Sequence, residues 1–118
     1  MVFSHTVAQF TPSLTILDGF EACINGGPNP VYDGTEAGHV GLAIVSSDRI
    51  AADVAGIAAL RMHTSEPGLL NLDSAWDQPT ILSAVEYGLG ISGPSEMDVA
   101  FADVDEEDEE TVLADIAS

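Results

Sequence analysis

HVGLAIVSSDRIAADVAGIAALRM, residues His39 to Met62, runs from an apolar stretch through a serine–aspartate junction into an alanine-rich segment. Its first part, His39 to Ser47, is rich in aliphatic residues and reads as a strand; the unbroken apolar run predicts burial on both faces. Ser47 or Asp48 then supplies a cap for the free N–H groups of a helix over Arg49 to Met62. At 100° per residue, Ile50, Val54, Ile57 and Arg61 form one stripe, with Leu60 beside it. The opposite side, Ala52, Ala55, Gly56 and Ala59, is small rather than charged. A helix with no strongly polar face calls for cover on more than one side, which in a short chain can come from another subunit. Asp53 falls between Ile57 and Leu60 on the apolar side, where a carboxylate needs a donor, a cation or a proton. Arg49, four residues earlier, offers an ion pair; the alternative is a site residue.

Working outward, Leu14 to Asp18 (LTILD) predicts a short buried strand that ends before the turn-rich NGGPNP at Asn25 to Pro30. Past the central helix, HTSEPGLLNLD is a connecting loop punctuated by Pro67 and Gly68. A second helix is expected from Ser74 or Pro79 to Tyr87, stopped by Gly88. Met97 to Val104 (MDVAFADV) alternates imperfectly and predicts a final strand. Asp105 to Glu110 (DEEDEE) reads as a solvated charge run before a short helix at TVLADIA. The order β, loop, β, α, α, β predicts an α/β class, a small layered sheet with flanking helices. The expected division is an α/β domain over residues 1–104 and an acidic C-terminal tail over 105–118.

Composition narrows the function classes. The 118 residues hold 20 acidic side chains against two arginines and no lysine, a formal net charge of −18. Such a surface is poorly suited to nucleic acid or anionic membranes. The charge suits a basic partner or a cation store; its spread along the whole chain suits a protein working in molar salt, where the Debye length falls to about 3 Å and self-repulsion is screened. A single cysteine, Cys23, makes neither an internal disulfide nor a multi-thiolate metal site, which points to the cytoplasm. MVFSHTVAQF lacks the basic and apolar regions of a signal peptide, and no apolar run approaches the ~20 residues needed to span a bilayer.

PSLTILDGFEACINGGPNP, GLAIVSSDRIAAD and AVEYGLG, in that order, resemble the C-terminal half of the iron–sulphur-associated domain-of-unknown-function family numbered 362. The hydrophobic-Asp-Gly pattern of that family is matched by Ile16, Leu17, Asp18 and Gly19, and its Gly-Pro turn by Gly27 and Pro28. Its Asp-Pro-Val-Ala-x-Asp element is similar to Asp48 through Asp53, with Arg49 at the proline position. Its late Gly-Leu-Gly is matched by Gly88, Leu89 and Gly90. Cys23, Ile24 and Asn25 stand where members commonly carry Met-Glu-Gly, so the acidic side chain is missing at Ile24. The resemblance covers residues 7–104 and implies an incomplete version of a larger α/β domain. It also implies a partner, either a second copy of this chain or a separate N-terminal half. Without the cysteine motifs appended to some members, no iron–sulphur cluster is expected from this chain alone.

The candidate site follows from the carboxylates. Asp48 is a helix cap or a ligand at a strand C-terminus, where α/β sheets hold their ligands. Asp18 is an Asx turn with Gly19 or a second ligand. Were the two strands parallel neighbours, Asp18, Asp48 and Asp53 would converge with His39 or the Asn25–Pro28 loop. Their hard oxygens suit Mg²⁺ or Mn²⁺. Gly27 and Pro28 are candidate ligand-binding positions in a loop that is otherwise a plain turn. GLGISG satisfies G-x-G-x-x-G at Gly88, Gly90 and Gly93 but closes a helix instead of opening one, unlike a dinucleotide fingerprint. The acidic run counted from Asp103 places Asp108 where a calcium-binding EF-hand loop requires glycine. His5, His39 and His63 have no metal-ligand spacing.

Three functions fit this reading. One is an accessory or binding module with a carboxylate-lined cation or small polar ligand site. The second is a metal-assisted enzyme completed by another subunit or by an N-terminal polypeptide. The third is a structural assembly module.

Overall fold

The structure, a computed structural model, describes residues 12–25, 36–64 and 67–117. Strands β1 (Thr15–Asn25) and β2 (Glu36–Ser46) pair antiparallel, with Leu17 opposite Ile44 and Ile16 opposite Val45. The register slips between Gly19 and Glu21, where β2 contributes one extra residue and Gly41 takes a left-handed φ of 77°. Such a bulge bends the ladder, and a glycine takes that φ without steric cost.

Strand alternation sorts the hairpin into two faces. Leu17, Leu42 and Ile44 are half-buried against the helices, whereas Ile16 and Val45 are each 64% exposed. The expectation that β2 is buried on both faces is therefore corrected. An apolar run states that no polar residue interrupts it, but not how many layers cover it, and here the helices pack on one face.

Helix α1 (Arg49–Arg61) begins at the expected residue with Asp48 as its N-cap. Ile50, Val54 and Ala58, four residues apart, are almost fully buried, as are Ala52 and Ala59. Small residues let the helix approach the sheet closely: a Cβ on Gly56 would lie 3.1 Å from Leu17 Cδ1. The helix packs against both strands, α3 (Pro79–Glu86), α4 (Glu106–Ala117) and the 3-10 turn Ala75–Asp77. On its small side the same chain buries Ala52 and Ala59, while Ala55 and Gly56 are only partly covered. One further helical turn, α2 (Pro67–Leu70), interrupts the connecting loop.

The C-terminal segment also departs from its sequence reading. The acidic run Glu106–Glu110 is the first part of α4, and Val112 and Ile116 enter the main core with Ile50, Val54, Trp76, Ile81 and Leu89. The Trp76 indole donates to the Ile116 carbonyl at 2.8 Å. Arg61, at the end of α1, donates to Asp115 at 2.5 Å and to the Leu72 carbonyl at 2.6 Å. Residues 105–117 therefore belong to the fold instead of forming a tail beyond residue 104. Its acidic first turn meets solvent, while valine and isoleucine four residues apart anchor the turns that follow.

Met97 to Val104 does not pair as a strand. Its alternation is real, since Met97, Val99 and Phe101 pack against the core while Asp98, Ala100 and Ala102 are exposed. No ladder joins it to β2, so the sheet has two strands among the described residues. The result is an α/β fold, a small antiparallel sheet flanked by helices on one face.

Candidate functional site

The junction Ser46–Asp53 divides its polar residues between two tasks. Ser46 Oγ accepts from the Asp48 N–H at 2.9 Å and donates to the Asp48 carbonyl at 2.8 Å, turning the chain out of β2. Asp48 Oδ1 accepts from the Ala51 N–H at 2.9 Å, which caps α1. Its second oxygen accepts from the Ile91 N–H at 3.0 Å, 43 residues away. Arg49 extends the same clamp by donating Nε to the Leu89 carbonyl at 2.9 Å. Asp48 and Arg49 therefore hold the Gly88–Ile91 turn against the start of α1.

That clamp accounts for one glycine of GLGISG, and the end of α3 for another. Gly88 closes α3 with φ 68°, the left-handed conformation common at helix C-termini. Gly90 is required by proximity: a Cβ there would lie 2.5 Å from Asp48 Oδ2. Leu89 between them is buried in the core.

Asp53 has a different environment. A cleft of about 400 Å³ opens between the inner sheet face and the helices. Leu17, Leu42 and Ile44 line one side, and Asp53, Gly56, Ile57 and Leu60 of α1 line another. Gln78, Thr80 and Ile81, at the start of α3, complete the wall. Gln78 Oε1 is already engaged, accepting from the Thr80 and Ile81 N–H groups at 2.7 and 3.2 Å.

Asp53 keeps substantial accessible surface, yet desolvation by its surroundings pushes its carboxyl above the ordinary value of 3.8. Among the described residues it has neither a hydrogen bond nor an ion pair; Arg49, its expected partner, turns to Leu89. The other arginine, Arg61, is held by Asp115, and the chain has no lysine. A cleft of this size, apolar with one carboxylate on its wall, has the make-up of a small-ligand site.

The three aspartates do not share one place. Asp18 borders the cleft, but alternation puts its side chain on the outer face with Ile16 and opposite Ala43. Asp48 faces Ile91 at the other junction. The convergence expected of parallel strands is absent because β1 and β2 are antiparallel. Among the described residues, no three histidine, cysteine, aspartate or glutamate side chains are grouped to hold a metal ion. Gly27, Pro28 and His5 lie outside the described residues, and His63 is exposed.

The sequence signal for Asp53 was its place on the apolar side of the helix. Gln78 carried no comparable signal, and Leu42 and Ile44 looked like ordinary strand residues; only the packing brings them around one space. No helix among the described residues is long and apolar enough to cross a membrane. Comparison with protein-family models, with curated proteins and with solved structures finds no match, so the arrangement of this chain's own residues carries the functional argument.

Proposed function

We propose that this chain is a binding or accessory module of a salt-adapted cytoplasm. Its cleft takes a small organic ligand with an apolar body and a cationic group at Asp53. The observation that carries this reading is the Asp53 carboxylate, which has no partner among the described residues, on a mostly apolar wall. An ammonium or amidinium group there supplies the missing counter-charge, while the body of the ligand removes Leu17, Ile44 and Ile57 from water. A Mg²⁺ or Mn²⁺ ion at the same point would find one carboxylate among the described residues in place of the expected three. The metal-assisted enzyme reading therefore rests on donors from a second subunit or an N-terminal half.

The test compares benzylammonium with benzyl alcohol, of nearly equal shape, by thermal shift in molar KCl. Benzylammonium should raise the melting temperature with a Kd on the order of 1 mM, and benzyl alcohol should do so much less. Asp53→Asn should abolish that difference while leaving the smaller response common to both probes. Equal responses to the two probes, or a preference for benzylammonium that survives Asp53→Asn, would sink the proposal.

A further inference from the structure

A second cleft, about 340 Å³, lies on the side of α1 away from Asp53 and shares only Leu42, Ile44 and Ala59 with the lining of the first. One wall is the continuous stretch Leu42–Ser46 of β2, and the facing wall is the continuous stretch Met97–Ala102. Ala51, Ala55 and Ala59 are on its α1 side. Two extended segments whose successive residues all line one space run alongside it, so both present backbone to it.

Neither wall is satisfied across that space. β2 pairs with β1 along one edge, and every second residue of an edge strand points its N–H and C=O the other way. No hydrogen bond to another described residue involves the backbone of Asp98–Ala102, although the segment keeps the two-residue alternation of a strand. The missing ladder between β2 and Met97–Val104 is thus a trough whose two sides have no backbone pairing across it among the described residues.

We infer that this trough receives an extended peptide segment of a partner, alternating apolar and basic residues, as an additional strand. Its backbone pairs with β2 on one side and with Asp98–Ala102 on the other, the mode by which exposed sheet edges recruit peptides. Side chains on its inner face occupy the room left by Ala51, Ala55 and Ala59. Those on its outer face meet a molecule with 20 acidic residues and two arginines, which selects lysine or arginine. Charge complementarity favours such a partner over a second copy of this chain, which carries the same −18.

The experiment uses the full chain and a capped synthetic peptide of alternating lysine and valine. Controls are a peptide of the same composition with its lysines in one block, and the alternating peptide with its valine amides N-methylated. Binding is followed by amide shifts and hydrogen exchange in about 0.15 M KCl, where charge still acts over roughly 8 Å. The alternating peptide should bind at least tenfold tighter than either control and slow exchange of amides within 42–46 and 98–102. Ala55→Leu, which fills the trough, should abolish that protection while leaving the circular dichroism spectrum unchanged. Equal affinity for all three peptides means attraction by charge alone and overturns the inference. So does protection of the same amides without peptide at concentrations where the chain self-associates, which would make a second copy the occupant. Because the N-methylated peptide tests backbone pairing on the unmodified protein, the conclusion does not depend on the folding of the variant.

Discussion

A methyl group placed on Gly90 would sit 2.5 Å from Oδ2 and 2.8 Å from Oδ1 of Asp48, well inside van der Waals contact. Gly90→Ala must therefore displace the carboxylate that caps α1 and accepts from Ile91. The cap contributes about 1 kcal/mol, and a hydrogen bond to an ionised group about 1.5 kcal/mol or more. Full displacement costs about 2.5 kcal/mol, offset by about 0.5 kcal/mol from the stiffer unfolded chain. Asp48→Ala removes the same two bonds and should cost a similar amount. Once the carboxylate is gone, alanine at position 90 has lost its steric opponent, so the double variant should be little worse than Asp48→Ala. The expected coupling is about 2 kcal/mol. Gly88→Ala supplies the contrast: no atom lies within 4 Å of its Cβ, and its cost of about 1–2 kcal/mol comes from φ 68° alone. That cost should be additive with Asp48→Ala. The assay is urea denaturation in molar KCl followed by fluorescence of Trp76, the single tryptophan, which is buried against α4. Additivity of Gly90→Ala and Asp48→Ala within about 0.5 kcal/mol would refute the clamp as the reason for glycine at position 90.

Three further outcomes follow from the packing and the charge. Because burial raises the Asp53 carboxyl above 3.8, the folded state holds that proton more firmly than the unfolded chain. The associated stability is complete below the ordinary carboxylate value and is lost as pH rises through the raised one. Asp53→Asn should therefore gain on the wild type as pH rises through that window, and a difference constant in denaturant midpoint across it would contradict the assignment. Truncation after Val104 removes Val112 and Ile116, which are 4% and 3% exposed, together with the acceptor for Trp76. Burial of the two side chains alone is worth about 3–6 kcal/mol, comparable to the whole stability of many domains. The truncated chain should lose its cooperative melt; a retained one would show that α4 is dispensable. Raising KCl from about 0.1 M to 1 M shortens the Debye length from about 10 Å to 3 Å and should raise the melting temperature of a chain with charge −18. An unchanged melting temperature would remove the salt-adaptation reading.

The elements that sequence resolves here are those whose causes lie a few residues away. The start of α1 at Arg49 follows from Asp48, whose side chain reaches Ala51, and the end of α3 follows from Gly88. The alternation of Met97, Val99 and Phe101 likewise correctly foretells which side chains face inward. What they pair with is not a local property: that backbone lies across a cleft from β2 instead of joining it. The acidic run misled for a related reason. Six acidic residues in succession, Asp105–Glu110, read as solvated, and the first turn of α4 does meet solvent; its anchors, Val112 and Ile116, come afterward.

The candidate site shows the same division. That Asp53 lies among apolar neighbours is written in the helical angle it shares with Ile57 and Leu60. That it lacks an arginine is not, because Arg49, four residues earlier on the same helix, is drawn to the carbonyl of Leu89, 40 residues away. By itself the sequence determined the charge, the central helix with its cap and the apolar setting of Asp53, all consequences of composition or near-neighbour geometry. The tertiary structure alone decided the antiparallel pairing that sets Asp18 opposite Ala43, the second hydrogen bond of Asp48 and the cleft between sheet and helix. Each of these depends on which distant surfaces come together, and many segments offer equivalent local chemistry until the packing selects among them.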